Sequence, residues 1–213
     1  MKYKALIFDC DGVLVDSEAI SNQIIVEMSN ANGASIDLAY AIEHFAGTSL
    51  HYVMNHIENL IGKKLPENFV KEYRRICAIR FQTHIQPIVG IKEVLKQLTV
   101  PFCVASNGTL EKMDLNLRLT GLSDFFRGKM FSAYEINAWK PDPQLFLWAA
   151  KTMGFDPSEC AVVEDSMSGV QAGIAGGFDV FAFCHSSKKS AFEQLGVSVF
   201  SQMNELLPLL KKA

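Results

Sequence analysis

Positive charge is not in excess in this chain: 20 lysines and arginines face 23 aspartates and glutamates, a formal net charge of −3. That balance gives no field to draw in a nucleic acid, and the adjacent lysine pairs starting at Lys63, Lys188 and Lys211 read as solvated loops and a tail. Cysteine is sparse too. Cys10, Cys77, Cys103, Cys160 and Cys184 include no CxxC, and three stand in apolar runs, which points to buried free thiols in a reducing compartment. No apolar run approaches a membrane span, and "MKYK" leads straight into "ALIFD", a stretch too short for the core of a signal peptide. The expectation is a cytoplasmic protein with no membrane, nucleic-acid or obligate protein partner evident. With 213 residues, 49% of them hydrophobic, there is material for one large core and a smaller satellite.

What is present is a series of short apolar runs without polar alternation. They are Ala5–Phe8, Pro101–Ser106, Cys160–Glu164, Asp179–Phe183 and Val197–Phe200, the pattern of parallel strands covered on both faces. Helical periodicity separates them at Gly90–Leu98, Leu110–Leu119, Pro143–Met153, Ser168–Ala175, Lys188–Leu195 and Met203–Leu210, with Pro143 placed at a first helical position. This alternation predicts an α/β fold, a Rossmann-like three-layer core on a parallel sheet. One interval breaks it. Residues 17–84 carry helical patterns at Glu18–Asn32, Ile36–Phe45, Leu50–Ile61 and Glu67–Thr83, too long for a crossover. They are expected to form an inserted α-helical domain, leaving 1–16 and 85–213 as the core. Stripes such as Ile24, Ile25 and Met28, or Val53, Met54 and Ile57, are expected to pack that domain rather than face a ligand.

The polar clusters stand where these strands end. In "LIFDCDG", Asp9 and Asp11 are two apart and share one side of an extended chain, with Cys10 on the other. "VASNGT" places Ser106, Asn107 and Gly108 after the second run, "WKPDP" places Lys140 before a proline, and "VVEDS" places Glu164 and Asp165 after the third. Singly, each has an ordinary explanation: a turn cap at Ser106, a solvated charge at Lys140, an N-cap cluster at "EDS". Together they recur at strand exits, the edge where open α/β sheets bind ligands. Asp9, Asp165 and Glu164 beside Asp11 gather negative charge that a hard cation would relieve, and oxygen ligands without clustered histidines favour Mg²⁺. A carboxylate nucleophile, a cation, a lysine, a hydroxyl and amide donors suit phosphoryl transfer.

The set "DCDGVLVDSE", "SNG", "KPDP" and "EDSMSGVQAG" resembles, in order, the four motifs of the haloacid dehalogenase-like hydrolases. The "DGVLVDS" run and the helical insertion look like the branch that holds phosphoglycolate phosphatase and beta-phosphoglucomutase, where the insertion is a cap. The resemblance implies Asp9 as nucleophile, Asp11 as acid and base, and Ser106 and Lys140 gripping the phosphoryl group. It implies Mg²⁺ held by Asp9, the Asp11 backbone carbonyl and Asp165, with Glu164 in or just outside its shell. The expected partner is a small phosphorylated metabolite, a sugar phosphate or phosphosugar acid, contacted by Glu18, Ser21, Asn22, Gly47, Thr48 and Ser49. A phosphosugar mutase is the alternative within the branch, but Ser21 stands where the mutase has a histidine, and no arginine follows Gly47. A binding protein that kept the fold without catalysis is the other alternative, and Asp9, Asp11, Lys140 and Asp165 all stand against it.

Overall fold

Strands that are apolar on both sides must be covered on both sides, and the chain order of elements supplies the cover. The computed structural model describes residues 2–45, 48–184 and 189–212. From the N-terminus come β1 (Ala5–Phe8), β2 (Val15–Asp16), the helices α1 (Glu18–Ala31), α2 (Leu38–Phe45), α3 (Leu50–Ile61) and α4 (Phe69–His84), and then β3 (Gln86–Pro87). There follow α5 (Ile91–Gln97), β4 (Phe102–Ser106), α6 (Leu110–Leu119), α7 (Ser123–Phe126), β5 (Met130–Ser132), α8 (Ala133–Ile136) and α9 (Gln144–Met153). The chain closes with β6 (Cys160–Glu164), α10 (Met167–Ala175), β7 (Asp179–Phe183), α11 (Lys189–Gln194), β8 (Ser198–Phe200) and α12 (Leu206–Lys212).

Two compact units result: residues 1–16 with 86–213, and residues 17–85. In the first, among the described residues, a six-stranded sheet runs β5-β4-β1-β6-β7-β8 with every pairing parallel. The chain works outward from β1 to β4 and β5, then returns to β6 on the other side. The order therefore reverses at β1, the place where such sheets form a crevice. Register sets the level of the site: Phe8 pairs with Val104 and with Val163, so the next residues, Asp9, Ala105 and Glu164, lie at one height beside the strand ends. One sheet face presents Ala5, Ile7, Cys103, Ala105, Cys160 and Val162, packed with Phe146 and Ala149 of α9 and with Val170 and Ala172 of α10. Each large aliphatic or aromatic side chain buried there contributes about 1.5–3 kcal/mol. On the other face Phe8, Phe102 and Phe126 meet edge to face. All five cysteines are buried free thiols.

A short antiparallel pair, Val15 with Pro87 and Asp16 with Gln86, ties the sheet unit together where the chain leaves it and returns. The helical unit between has its own core of Ile25, Val26, Phe45, Val53, Ile57 and Phe69, with Met28 and Met54 packed against it. Those apolar stripes are packing. Helix limits differ from the periodicity by a residue or two for local reasons. Asp37 Oδ1 accepts the Tyr40 amide at 2.8 Å, so α2 starts at Leu38 rather than Ile36. Asp142 Oδ1 accepts the Gln144 amide at 2.8 Å, leaving Pro143 one residue ahead of α9, not at its first position. Lys188, expected to open a helix, lies outside the described residues. The edge strand β5 and the tie β2–β3 were not expected, since three-residue and two-residue strands carry no period.

Candidate active site

Strand β1 ends by delivering Asp9, whose amide still donates to the Val163 carbonyl at 2.9 Å. Beside it β6 delivers Glu164, and Lys140 enters between them from the loop after α8. The Lys140 ammonium, 2% exposed, donates to Asp9 Oδ1 at 2.5 Å, to Glu164 Oε1 at 2.7 Å and to the Ala105 carbonyl at 2.9 Å. It lies 4.6 Å over the Phe146 ring, so cation–π attraction backs the ion pairs. Lys140 is thus a buried hub, not a solvated charge. Burial alone would lower its pKa; the charges of Asp9 and Glu164 outweigh that and raise it, so the ammonium stays protonated.

Asn107 holds this lysine from outside. Its Oδ1 accepts the Lys140 amide at 2.9 Å and its Nδ2 reaches the Lys140 carbonyl at 3.5 Å. Ser106, 2% exposed, accepts the Gly108 amide at its Oγ at 3.0 Å, which spends that amide within the turn. An accepting hydroxyl still has its own hydrogen to donate. Ser132, at the end of β5, donates to the Gly108 carbonyl at 2.7 Å and secures the turn from the next strand.

Glu164 is occupied on both oxygens. Oε1 takes Lys140; Oε2 accepts the Asp165 and Ser166 amides at 2.8 and 2.9 Å and the Ser166 hydroxyl at 3.0 Å. Ser166 also caps α10 by accepting the Gly169 amide at 3.0 Å, so the N-cap reading of "EDS" holds for that residue. The Glu164 side chain can lie there only because residue 169 is glycine, where a β-carbon would stand 1.8 Å from Oε1. Gly169→Ala is therefore expected to push Glu164 off Lys140. The loss should be about 1–3 kcal/mol of stability, read by urea denaturation, with turnover falling in parallel. Wild-type stability and rate would contradict this.

Asp9, Glu164 and Asp165 each offer a carboxylate oxygen within 4.8 Å of the others. Burial pushes the Asp9 carboxyl up to about 7, with Glu164 and Asp11 adding to the rise and Lys140 opposing it. One ammonium against three carboxylates leaves negative charge over, and an oxygen-only donor set is that of a hard divalent cation. Asp165 fits into this cluster because Gly12 has φ +84° and no side chain: a β-carbon there would be 2.2 Å from Asp165 Oδ2. Asp11 turns to other partners, Lys112 Nζ at 2.7 Å and Asn116 Nδ2 at 3.4 Å, both on α6.

The structure therefore brings together Asp9, Asp11, Ser106, Asn107, Gly108, Lys140, Glu164 and Asp165. The candidates from the insertion belong to the helical unit. Glu18, Ser21 and Asn22 lie on α1, with Ser21 Oγ buried and unbonded among the described residues. Thr48 donates to the Phe45 carbonyl at 2.8 Å, Ser49 caps α3 by accepting the Tyr52 amide at 3.2 Å, and Gly47 lies outside the described residues. Lys112, Asn116, Gly169 and Ser132 did not emerge from the sequence. A polar pair four apart on α6 beside buried Met113 and Leu117 was the signal available for the first two.

The family model for haloacid dehalogenase-like hydrolases matches residues 3–177. A 6-phosphogluconate phosphatase of Escherichia coli (strain K12) is 34% identical over 211 residues, 99% of this chain and 96% of that protein. Among solved structures, a haloacid dehalogenase-like protein of unknown function from Agrobacterium tumefaciens str. C58 superposes with TM-score 0.85 at 30% identity, covering 99% of this chain and 98% of that one. A HAD family hydrolase from Deinococcus radiodurans R1 with bound phosphate and sodium does so at 0.79 and 28%, covering 99% and 96%.

Proposed function

The chain belongs to the haloacid dehalogenase-like hydrolase family, and we propose that it is a Mg²⁺-dependent phosphatase of a small sugar phosphate or phosphosugar acid, working through a phosphoaspartate at Asp9. The observation that carries this reading is the buried Lys140 ammonium shared by Asp9 and Glu164, at the edge of a three-carboxylate cluster. Mg²⁺, held by Asp9, Asp165 and the Asp11 backbone carbonyl with Glu164 beside them, would supply positive charge to the phosphoryl oxygens. Lys140, through the positive charge of its ammonium, and Ser106, through its hydroxyl hydrogen, stabilise those oxygens from the protein side, while Asn107 and the Gly108 turn hold the two in place.

Asp9, ionised beside Lys140, attacks phosphorus. The bond from phosphorus to the leaving alcohol breaks, and Asp11 gives that oxygen its proton. A water molecule then attacks the phosphoaspartate at phosphorus, returning a proton to Asp11. The Asp9–phosphorus bond breaks, releasing inorganic phosphate and restoring both carboxyl groups.

Substrate class is supported by the E. coli relative named for 6-phosphogluconate and by the Deinococcus structure with bound phosphate. Glu18, Ser21, Asn22, Gly47, Thr48 and Ser49 of the insertion are the residues proposed to choose the leaving group. A phosphate-release screen over sugar phosphates, phosphoglycolate and nucleotides is expected to show 6-phosphogluconate or another sugar phosphate turned over fastest. Preference for nucleotides would refute the substrate class. Release should stop in excess EDTA and return with Mg²⁺, and Asp165→Asn should raise the Mg²⁺ needed for half-maximal rate by about tenfold or more. Full activity in EDTA would remove the cation from the mechanism.

A further inference from the structure

The carboxylate of Asp11 is held by helix α6. Lys112 Nζ lies 2.7 Å from Oδ2 and Asn116 Nδ2 lies 3.4 Å from Oδ1, so each oxygen has its own donor. Residues four apart lie one above the other on a helix, and here both reach the same side chain. The helix is well anchored for this. It begins directly after the Ser106–Gly108 turn, its first turn is capped by Thr109 Oγ1 accepting the Lys112 amide at 3.3 Å, and Met113 and Leu117 are buried beside the pair.

Asn116 is fully buried, yet its Oδ1 has no hydrogen-bond partner among the described residues. A buried amide with an unpaired oxygen is costly, and a leucine would fill the space without that cost. The hydrogen bond that this amide does make goes to Asp11. Lys112 is likewise more than a surface pair: its side chain is 34% exposed and that of Asp11 22%, so the pair is largely withdrawn from solvent. Asp11 Oδ2 stands 3.9 Å from where a β-carbon on Gly108 would be, beside the turn that carries the Ser106 hydroxyl.

We infer that Lys112 and Asn116 are positioning residues for proton transfer, fixing the Asp11 carboxylate beside the phosphoryl turn so that it meets the leaving oxygen and then the attacking water. The inference rests on the proposed role of Asp11 as acid and base. Proton transfer by a placed group contributes about 10²–10⁴ in rate and depends steeply on its placement. Releasing the carboxylate should therefore slow the reaction of a poor leaving group far more than that of a good one.

The experiment compares wild type, Asp11→Asn, Lys112→Met, Lys112→Arg and Asn116→Leu on two substrates, p-nitrophenyl phosphate and the alkyl phosphate the wild-type enzyme turns over fastest. For Lys112→Met and Asn116→Leu, kcat on the alkyl phosphate should fall about 10- to 100-fold, with less than about a threefold fall on p-nitrophenyl phosphate and KM within about twofold. Lys112→Arg should recover most of the alkyl-phosphate rate. Should Asn116→Leu fail to fold, Lys112→Met, at a part-exposed site, decides alone. If Asp11→Asn shows the leaving-group asymmetry and Lys112→Met does not, the positioning role is overturned while the acid–base role stands. If Asp11→Asn itself loses equally on both substrates, the acid–base role falls and the positioning role with it.

Discussion

Asp9→Asn is expected to bring turnover to background, a fall of about 10⁴-fold or more, with no phosphoenzyme trapped on rapid quench. An amide of the same shape keeps the end of β1 but has no oxygen nucleophile to offer phosphorus. The fold should not suffer. Burial raises the Asp9 carboxyl from an ordinary 3.8 to about 7, so the folded state resists its ionisation more than the unfolded chain does. A carboxyl raised on folding costs nothing below its unfolded value and progressively more as pH climbs towards the folded one. In metal-free protein the asparagine variant should therefore gain stability over wild type as pH rises from about 4 to about 7. Thermal melts in EDTA across that window test the sign, and single turnover in the variant would overturn the nucleophile.

Lys140→Met should likewise abolish activity but weaken the fold at the same time. Its ammonium is the partner of two carboxylates at 2.5 and 2.7 Å, and removing it leaves Asp9 and Glu164 facing each other in the interior. Breaking a buried pair from one side costs about 3–5 kcal/mol, because the remaining charge has no compensation. Lys140→Arg is not expected to rescue it: a planar guanidinium cannot place one nitrogen at once on Asp9, Glu164 and the Ala105 carbonyl. The double variant Lys140→Met with Asp9→Asn should recover part of the stability and none of the activity. Urea denaturation in EDTA measures the stability of the two variants, and phosphate release with Mg²⁺ their activity. A Lys140→Met protein as stable as wild type would contradict the buried hub.

Much of this was legible in the sequence because the physics is local. Runs such as "ALIF" and "CAVVE" specify buried strands by length and β-branching, and a polar residue at the end of each marks the exit from the sheet. Asp9, Ser106, Lys140, Glu164 and Asp165 could be picked out for that reason. The partners of each carboxylate could not, since they depend on how helices lie over the sheet. Glu164 read as a cation ligand or its neighbour and does stand in the carboxylate cluster, but its bonds to Lys140 and the start of α10 left no trace in the sequence. Asp11 read as one of a pair with Asp9, whereas α6 claims it through Lys112 and Asn116. Gly12 follows the Asp9 and Asp11 pair and Gly169 falls within a helical pattern; what requires both glycines is a carboxylate lying where a β-carbon would go.

The tie between Val15–Asp16 and Gln86–Pro87 has an evolutionary consequence. Paired backbones in an antiparallel ladder stand about 5 Å apart, so the sheet unit meets the whole insertion as though it were a hairpin turn. Loop-closure entropy grows only with the logarithm of loop length, and a different insert at this point would change it little. The hydrolytic machinery on the strand ends and the segment proposed to recognise the leaving group are thus inherited through separate stretches of gene. Duplication followed by exchange between Asp16 and Gln86 could give a lineage new substrates while the chemistry of Asp9 and Lys140 passed on unaltered.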